Sequence, residues 1–262
     1  MKIIYLLLAL FIGLGAGDYA ARSSLSFSTE LSSVDGTDPL MGVEDRVTTA
    51  ATRAFMRRSV TPLLAIRKEV AAVEGAEIAR LRAYWLAHID FQTAVFFHVA
   101  KESDSCEGAV RQGIKLLEEI KDKNSEEYAL LAYLQGFSIQ FAKGLGAAKI
   151  SKTASRNAQL AVKLDAKNLR GYYVLGSLNF YTPKAYGGGK KVEEYMTKAI
   201  SLPANPLNNP YLPSWGRAEA YELLVRQYVK EGRQDDARRL LREGLDQYPD
   251  NYLLNNLVAR GK

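Results

Sequence analysis

Apolar residues recur every three to four positions through most of the chain after about residue 42, with polar residues between them. This spacing places apolar side chains on one face of a helix, whereas a half-buried strand alternates every second residue. No sustained run of alternating residues is present. The pattern therefore predicts an almost entirely helical region over residues 42–260, with about nine or ten helices.

Residues that break helices are concentrated in three places, which are residues 183–189, residues 203–213 and Pro249. Proline and glycine mark connectors because they disfavour the helix interior. Residues 18–41 are rich in Ser, Asp and Gly and have no helical period, so we expect a flexible leader there. Residues 42–262 are predicted to form one helical repeat domain.

The first residues are typical of a targeting segment. Lys2 precedes an apolar run from Ile3 to Leu14, and small residues follow up to Gly17. We expect a signal peptide over residues 1–17, with an uncleaved anchor as the alternative. The run is shorter than the ~20 residues of a spanning helix, so no stable membrane span is expected after cleavage. We therefore predict that the protein is exported to the periplasm or cell surface of a bacterium, and a Gram-negative bacterium is favoured.

A pattern of large and small positions spans residues 218–251. Large residues recur in the first half of this segment, small or apolar residues recur in the second half, and a proline closes the unit. The positions are Tyr221, Leu224, Tyr228, Ala237, Leu241, Gly244 and Pro249. This segment resembles the tetratricopeptide repeat, and residues 129–166 and 169–204 are similar but weaker copies. The resemblance implies an all-α fold of stacked antiparallel helix pairs, an α-solenoid with a right-handed superhelix.

The loop from Phe180 to Lys191 reads FYTPKAYGGGKK. It resembles a loop of exported bacterial tetratricopeptide-like proteins, a mostly uncharacterised group. It is not a phosphate-binding loop, because Lys190 is followed by Lys191 instead of Ser or Thr and no strand precedes it. A weaker interpretation is that the loop amides and these two lysines attract an anion.

The remaining chemistry argues against catalysis. His88 and His98 are ten residues apart, which does not suit a helical metal pair. Cys106 is the only cysteine, so an internal disulfide is excluded. The net charge of +6 includes no dense basic block, so nucleic acid is not an expected partner. We predict a protein that is not an enzyme and has no catalytic residue, cofactor or metal.

The resemblance implies that a partner binds in a concave groove, lined by the first helix of each pair. Positions free of packing on these helices are predicted to face outward, and the glycine loop is predicted to form an adjustable lip at the rim. The predicted partner-binding residues are Tyr173, Ser177, Asn179, Glu222 and Arg226, with Gln227 beside them, and the loop residues are Tyr186, Gly187, Gly188, Gly189 and Lys190. The predicted function is a non-catalytic scaffold of the bacterial envelope that binds a protein or peptide. The alternative is a helical binder of a small hydrophobic or anionic ligand that assists periplasmic uptake.

Overall fold

The computed structural model describes residues 39–76, 78–205 and 208–260. The predicted signal peptide and most of the predicted leader lie outside these residues. Within them the chain forms eleven α-helices, two short 3-10 helices and no strand. The helices are α1 (Val43–Arg57), α2 (Thr61–Ala71), α3 (Ala79–Ala100), α4 (Ser103–Glu118), α5 (Ser125–Ser138), α6 (Leu145–Leu164), α7 (Leu169–Tyr181), α8 (Val192–Ser201), α9 (Arg217–Lys230), α10 (Gln234–Gln247) and α11 (Tyr252–Arg260). The predicted all-α class is confirmed.

The structure contains one helix more than the upper end of the prediction. Helix α11 follows Pro249, the residue that closes the last predicted repeat. Leu254 on this helix is completely buried. The chain therefore continues past the repeat with a helix that covers the last pair.

The described chain divides into two compact units, with the division between Gly113 and Ile114. The sequence predicted a single repeat domain over residues 42–262. In the first unit α1, α2 and α3 pack against one another. Helix α3 is buried on all sides from Tyr84 to Phe91, and its Asp90 pairs with Arg67 of α2, the closest nitrogen and oxygen being 2.5 Å apart.

The folded part of this first unit begins before residue 42. Leu40 is completely buried, and the Pro39 carbonyl accepts a hydrogen bond of 2.7 Å from the Arg46 guanidinium. Residues 39–41 were assigned to the flexible leader by their composition. The buried side chain of Leu40 and the hydrogen bond to the Pro39 carbonyl place these two residues in the folded unit instead.

In the second unit each helix packs against the next one along the chain. Helix α5 packs on α6, α7 on α8 and α9 on α10. The first helices of successive pairs also pack together, α5 on α7 and α7 on α9. This is the arrangement of a solenoid built from helix pairs, as predicted. The right-handed superhelix and the membership of the tetratricopeptide class stay predictions.

Polar caps fix where the helices of this unit begin. Asn124 and Glu127 form a capping box at the start of α5, which satisfies two amides that have no partner within the helix. Asn168 caps α7 by accepting from the Gly171 amide, and its own amide donates to Ser125 Oγ at 2.8 Å. Ser125 in turn donates to the Ala161 carbonyl at 2.7 Å. This buried relay ties the starts of α5 and α7 to the end of α6.

The packing positions predicted in the last repeat are confirmed. Tyr221 and Leu224 of α9 are buried, as are Ala237 and Gly244 of α10. A Cβ atom added at Gly244 would lie 3.2 Å from the Tyr221 ring and 3.2 Å from Leu254 Cδ1. Only a very small residue fits where α10 crosses its neighbours. None of the described helices has the length and apolar character needed to cross a bilayer.

Candidate functional site

Tyr173 was predicted to line an open groove, and the structure buries it. Tyr173 is only 6% exposed. The Tyr173 hydroxyl lies 3.2 Å from the hydroxyl of Tyr133 on α5, and its ring packs edge-on against Tyr133 and Trp215. The outward orientation predicted for Tyr173 is wrong, because α5 and the connector before α9 cover this face of α7.

Burial controls the chemistry of the two tyrosines. It raises the pKa of the Tyr133 hydroxyl and the pKa of the Tyr173 hydroxyl well above the ordinary value of 10.0. Both hydroxyls therefore stay protonated throughout the physiological range of pH. They serve as a neutral hydrogen-bonded pair between α5 and α7.

Glu222 and Arg226 form a second cluster that is also largely covered. Their side chains are 11% and 15% exposed, and Arg226 Nη1 lies 3.3 Å from Glu222 Oε1. The same nitrogen donates to the Tyr181 hydroxyl at 3.2 Å, and the guanidinium lies 4.9 Å from the centre of the Phe180 ring. The outward orientation predicted for this pair is wrong, since the end of α7 packs over it.

Ser177 and Gln227 are likewise buried, at 8% and 3% exposed. The predicted positions thus fall into separate sets of contacts: Tyr173 bonds to Tyr133, Glu222 bonds to Arg226, and Asn179 bonds to the glycine loop. The continuous polar groove surface inferred from helical spacing is wrong. Spacing alone did not show that the first helices of neighbouring pairs cover one another.

Asn179 holds the glycine loop in place. Its side-chain amide donates to the Gly187 carbonyl at 3.3 Å, and its side-chain oxygen accepts from the Lys191 amide at 2.9 Å. Its backbone carbonyl accepts from the Gly189 amide at 3.0 Å. These three bonds span the loop from the end of α7 to the start of α8. The predicted adjustable lip is therefore fixed to α7 at several points.

The three glycines are required by the backbone of this loop. Gly187 and Gly189 have φ values of 85° and 88°, which side chains on L-residues disfavour. A Cβ atom at Gly188 would lie 1.7 Å from the Thr182 carbonyl oxygen. The amides of all three glycines donate to carbonyls of residues 179–184. An anion site built from these amides is therefore not supported, because they are already engaged.

The loop and the end of α9 enclose an open depression of about 500 Å³. Two glycines form part of its wall, and its charged lining carries three lysines and one glutamate. The lining residues are Lys184, Gly188, Gly189, Lys190, Gln227, Lys230 and Glu231. We call these residues, together with Tyr186 of the same loop, the glycine-loop surface.

Gln227 of α9 forms a hydrogen bond to the glycine loop. Its side-chain nitrogen donates to the Gly189 carbonyl at 3.3 Å and to Glu231 Oε1 at 2.5 Å. Both neighbours are acceptors, so the amide nitrogen must face them. Its buried side-chain oxygen then has no hydrogen-bond partner within the part of the chain that the structure describes. Gln227, one of the residues that line the depression, thus carries a buried acceptor without a described partner.

Tyr186 supplies the aromatic side chain of this surface. It ends the short 3-10 helix Lys184–Tyr186 and is 83% exposed. The Tyr186 amide donates to the Pro183 carbonyl at 2.9 Å, and the part of the loop that follows Tyr186 is held by the bonds from Asn179 and Gln227. A large aromatic side chain is therefore presented to solvent on a fixed backbone.

Comparison with known proteins adds no relative: no protein-family model matches this chain, and no curated protein matches it significantly. The resemblance to exported tetratricopeptide-like proteins stays a prediction.

Arg170 is the main structural residue that the sequence did not indicate. Its guanidinium is buried and donates to both carboxylate oxygens of Glu126, at 2.5 and 2.6 Å. It also donates to the carbonyls of Ala204 and Trp215, at distances of 3.0–3.1 Å. These bonds fix the connector between α8 and α9 against α5 and α7. No local signal reveals them, because Glu126 lies 44 residues away in sequence.

Proposed function

We propose that this chain is a non-catalytic binding protein that recognises a protein partner through its glycine-loop surface. The observation that carries the proposal is Tyr186, an 83% exposed tyrosine on a loop fixed by hydrogen bonds. Tyrosine is among the residues that most often dominate protein interfaces, because it buries a large area and keeps one polar end.

The rigidity of the loop favours binding. Ordering a flexible segment on association costs free energy, and a loop that is already ordered avoids most of that cost. Here Asn179 and Gln227 bond to the loop from α7 and α9. The surface is therefore organised before a partner arrives.

This surface replaces the groove as the proposed binding site. The groove residues Tyr173, Ser177 and Glu222 are buried by other parts of the chain, so a partner would have to displace native contacts to reach them. Four of the predicted loop residues, Tyr186, Gly188, Gly189 and Lys190, belong to the glycine-loop surface. The partner remains a protein or peptide, as the sequence predicts.

We also propose that the protein acts after export, in the periplasm or at the surface of a bacterium. The support is the arrangement of Lys2, the apolar run up to Leu14 and the small residues that follow. The mass of the protein recovered from an envelope fraction tests this proposal. Loss of about the first 17 residues is expected, and an intact N-terminus in a soluble cytoplasmic fraction would contradict export.

A small anionic ligand is the second candidate. The observation in its favour is the three lysines around the depression, Lys184, Lys190 and Lys230. A small anion would be bound by the charges alone, whereas a protein partner would also cover Tyr186. Replacement of Tyr186 therefore separates the two functions.

The experiment is a quantitative affinity capture of envelope proteins by the mature chain and by Tyr186→Ala. We expect a captured protein whose recovery falls roughly tenfold or more with Tyr186→Ala, as is common for exposed aromatic anchors. The control is Tyr252→Ala, which replaces a half-exposed tyrosine on α11. Equal recovery with all three proteins would contradict the proposed surface.

A further inference from the structure

The charge of the depression is strongly one-sided. Three lysines line it, and Glu231 is the single carboxylate. That carboxylate is already engaged, because it accepts from Gln227 at 2.5 Å and lies 3.5 Å from Arg233. The lining therefore carries three positive charges and one negative charge, and this excess of positive charge sets the potential inside the depression.

The lysines come from two directions. Lys184 and Lys190 stand on either side of the glycines in the loop, and Lys230 is the last residue of α9. Lys230 Nζ lies 4.9 Å from the centre of the Phe180 ring, which holds this cation near the loop. No ion pair to Lys184 or Lys190 occurs among the residues that the structure describes. Three like charges have thus been gathered around one depression without acidic partners.

Gln227 adds a requirement that a bare anion does not meet. Gln227 lines the depression, and its buried side-chain oxygen has no hydrogen-bond partner among the described residues. A group that donates an N–H would satisfy this oxygen, and carboxylates would satisfy the lysines. A peptide segment carries both groups, since its backbone supplies N–H donors and acidic side chains supply carboxylates.

We infer that the depression of the glycine-loop surface binds an acidic peptide segment of the partner protein, beside the Tyr186 contact. The inference rests on the proposed function and adds the chemistry of the partner. A depression of about 500 Å³ with exposed lysines at its lining suits a single extended segment that lies between the loop and α9. Association should therefore weaken as salt screens the lysines.

The test is the binding of a fluorescent poly-glutamate peptide to the full mature chain, followed by fluorescence anisotropy. A poly-glutamine peptide of the same length is the uncharged probe. We expect the acidic peptide alone to bind, with an affinity that falls steeply between low and physiological salt. Equal binding of both peptides, or no binding of the acidic one, would overturn the inference.

Two triple variants with the same change in net charge locate the site. The site variant replaces Lys184, Lys190 and Lys230 with glutamine, and the control variant replaces Lys149, Lys152 and Lys163, which are exposed on α6. We expect the site variant to weaken poly-glutamate binding roughly tenfold or more and the control variant to leave it nearly unchanged. Equal weakening by both would mean general attraction to a basic protein and would overturn the inference.

Other anions provide further arms of the same test. Inorganic phosphate and vesicles that contain anionic lipid are offered as competitors of the bound acidic peptide. We expect neither to displace the peptide at matched ionic strength. Displacement by phosphate would identify a small-anion site, and displacement by vesicles would identify a membrane site; either result overturns the inference.

The captured partner separates this inference from the proposed function. If Tyr186→Ala loses the partner and the site variant keeps it, the acidic-segment inference fails and the protein-binding function stands. If both variants keep the partner, the glycine-loop surface itself fails. Loss with both, and retention with the α6 control variant, supports both proposals.

Discussion

The helix pairs α7–α8 and α9–α10 pack alike and are connected differently. In each pair a glycine lies where helices cross: Gly176 of α7 faces Met196, and Gly244 of α10 faces Tyr221. The connector of α9–α10 is a tight turn through Gly232, whereas α7–α8 carries the long loop that includes Gly188. The shared packing builds the repeat, and the extra length of one connector creates the glycine-loop surface.

The two connectors also differ in how strictly they require glycine. Gly232 has a φ of 79°, and no atom lies within 4 Å of an added Cβ. Gly188 has the Thr182 carbonyl in the place of a Cβ atom. Gly232 is therefore required only for its positive φ, whereas Gly188 is required because a side chain has no room there. This difference shows that the long connector is packed against its neighbours and is not a loosely held insertion.

The largest loss of stability is expected from a change at Arg170, which fixes the connector between the two helix pairs. Arg170→Met removes the guanidinium that bonds to Glu126 and to the connector that leads into α9. It leaves a carboxylate and two carbonyls without their charged partner. We expect a loss of about 3–5 kcal/mol in the free energy of unfolding, measured by chemical denaturation.

The matched control for that loss is Arg238→Met. Arg238 pairs with Asp235 on an exposed face of α10, so its removal should cost less than about 1 kcal/mol. If the two variants lose equal stability, Arg170 does not anchor the connector.

The next largest loss of stability is expected in the connectors, where alanine in place of glycine should cost more in the long loop than in the short turn. Gly188→Ala forces the Thr182 carbonyl to move, and we expect it to cost about 2–3 kcal/mol. Gly232→Ala meets only the strain of a positive φ, at about 1 kcal/mol. Urea unfolding of both variants measures the difference. Equal costs would mean that the loop around Gly188 is as open as the short turn.

The third prediction concerns the packing that the two pairs share. Gly244→Leu places a side chain against Tyr221 and Leu254, and overpacking of this kind costs about 1–3 kcal/mol. Gly176→Ala should be milder, because the nearest atom is the mobile end of the Met196 side chain. Thermal unfolding compares the two. An unchanged melting temperature for Gly244→Leu would refute the packing contact.

Much of this packing was predictable from the sequence. The positions of Tyr221, Leu224 and Gly244 follow from a repeat pattern that is local, so a window of residues 218–251 contains all the information needed. Periodicity identifies helices because each helix is a local structure.

The candidate site was harder to predict, because its contacts are not local. Tyr173 is buried by Tyr133, 40 residues earlier in the chain, and Arg226 by Tyr181, 45 residues earlier. Helical spacing shows which side of a helix a residue occupies but not which helix covers that side. The glycine run was visible in the sequence, yet the bonds that fix its loop depend on Asn179 and Gln227 from two different helices.

The smallest change in stability is expected from the exposed contact between Glu193 and Arg233, which joins the two helix pairs. Glu193 of α8 accepts hydrogen bonds from Arg233 and from the Tyr228 hydroxyl, and the Arg233 guanidinium holds the pKa of this carboxyl below its ordinary value of 4.5. A lowered folded-state pKa stabilises the fold above the unfolded-state pKa, and this contribution is lost as pH falls through the folded-state value.

We therefore expect the pair to contribute at pH 7 and to be lost as the pH falls below about 4.5, with a total under about 1 kcal/mol because solvent screens it. The measurement is the difference in unfolding free energy between the native chain and Glu193→Gln across this range. The difference should be largest near neutral pH and should shrink in acid. A difference that grows in acid would contradict the assignment.

The proposed function requires that a partner protein contacts the glycine-loop surface. The most direct measurement is site-specific photo-crosslinking in cells, with a photoreactive aromatic amino acid in place of Tyr186 and, as the matched control, in place of Tyr252. We expect a discrete adduct with another protein from position 186 and no such adduct from position 252. Adducts from position 252 alone, or from neither position, would contradict it.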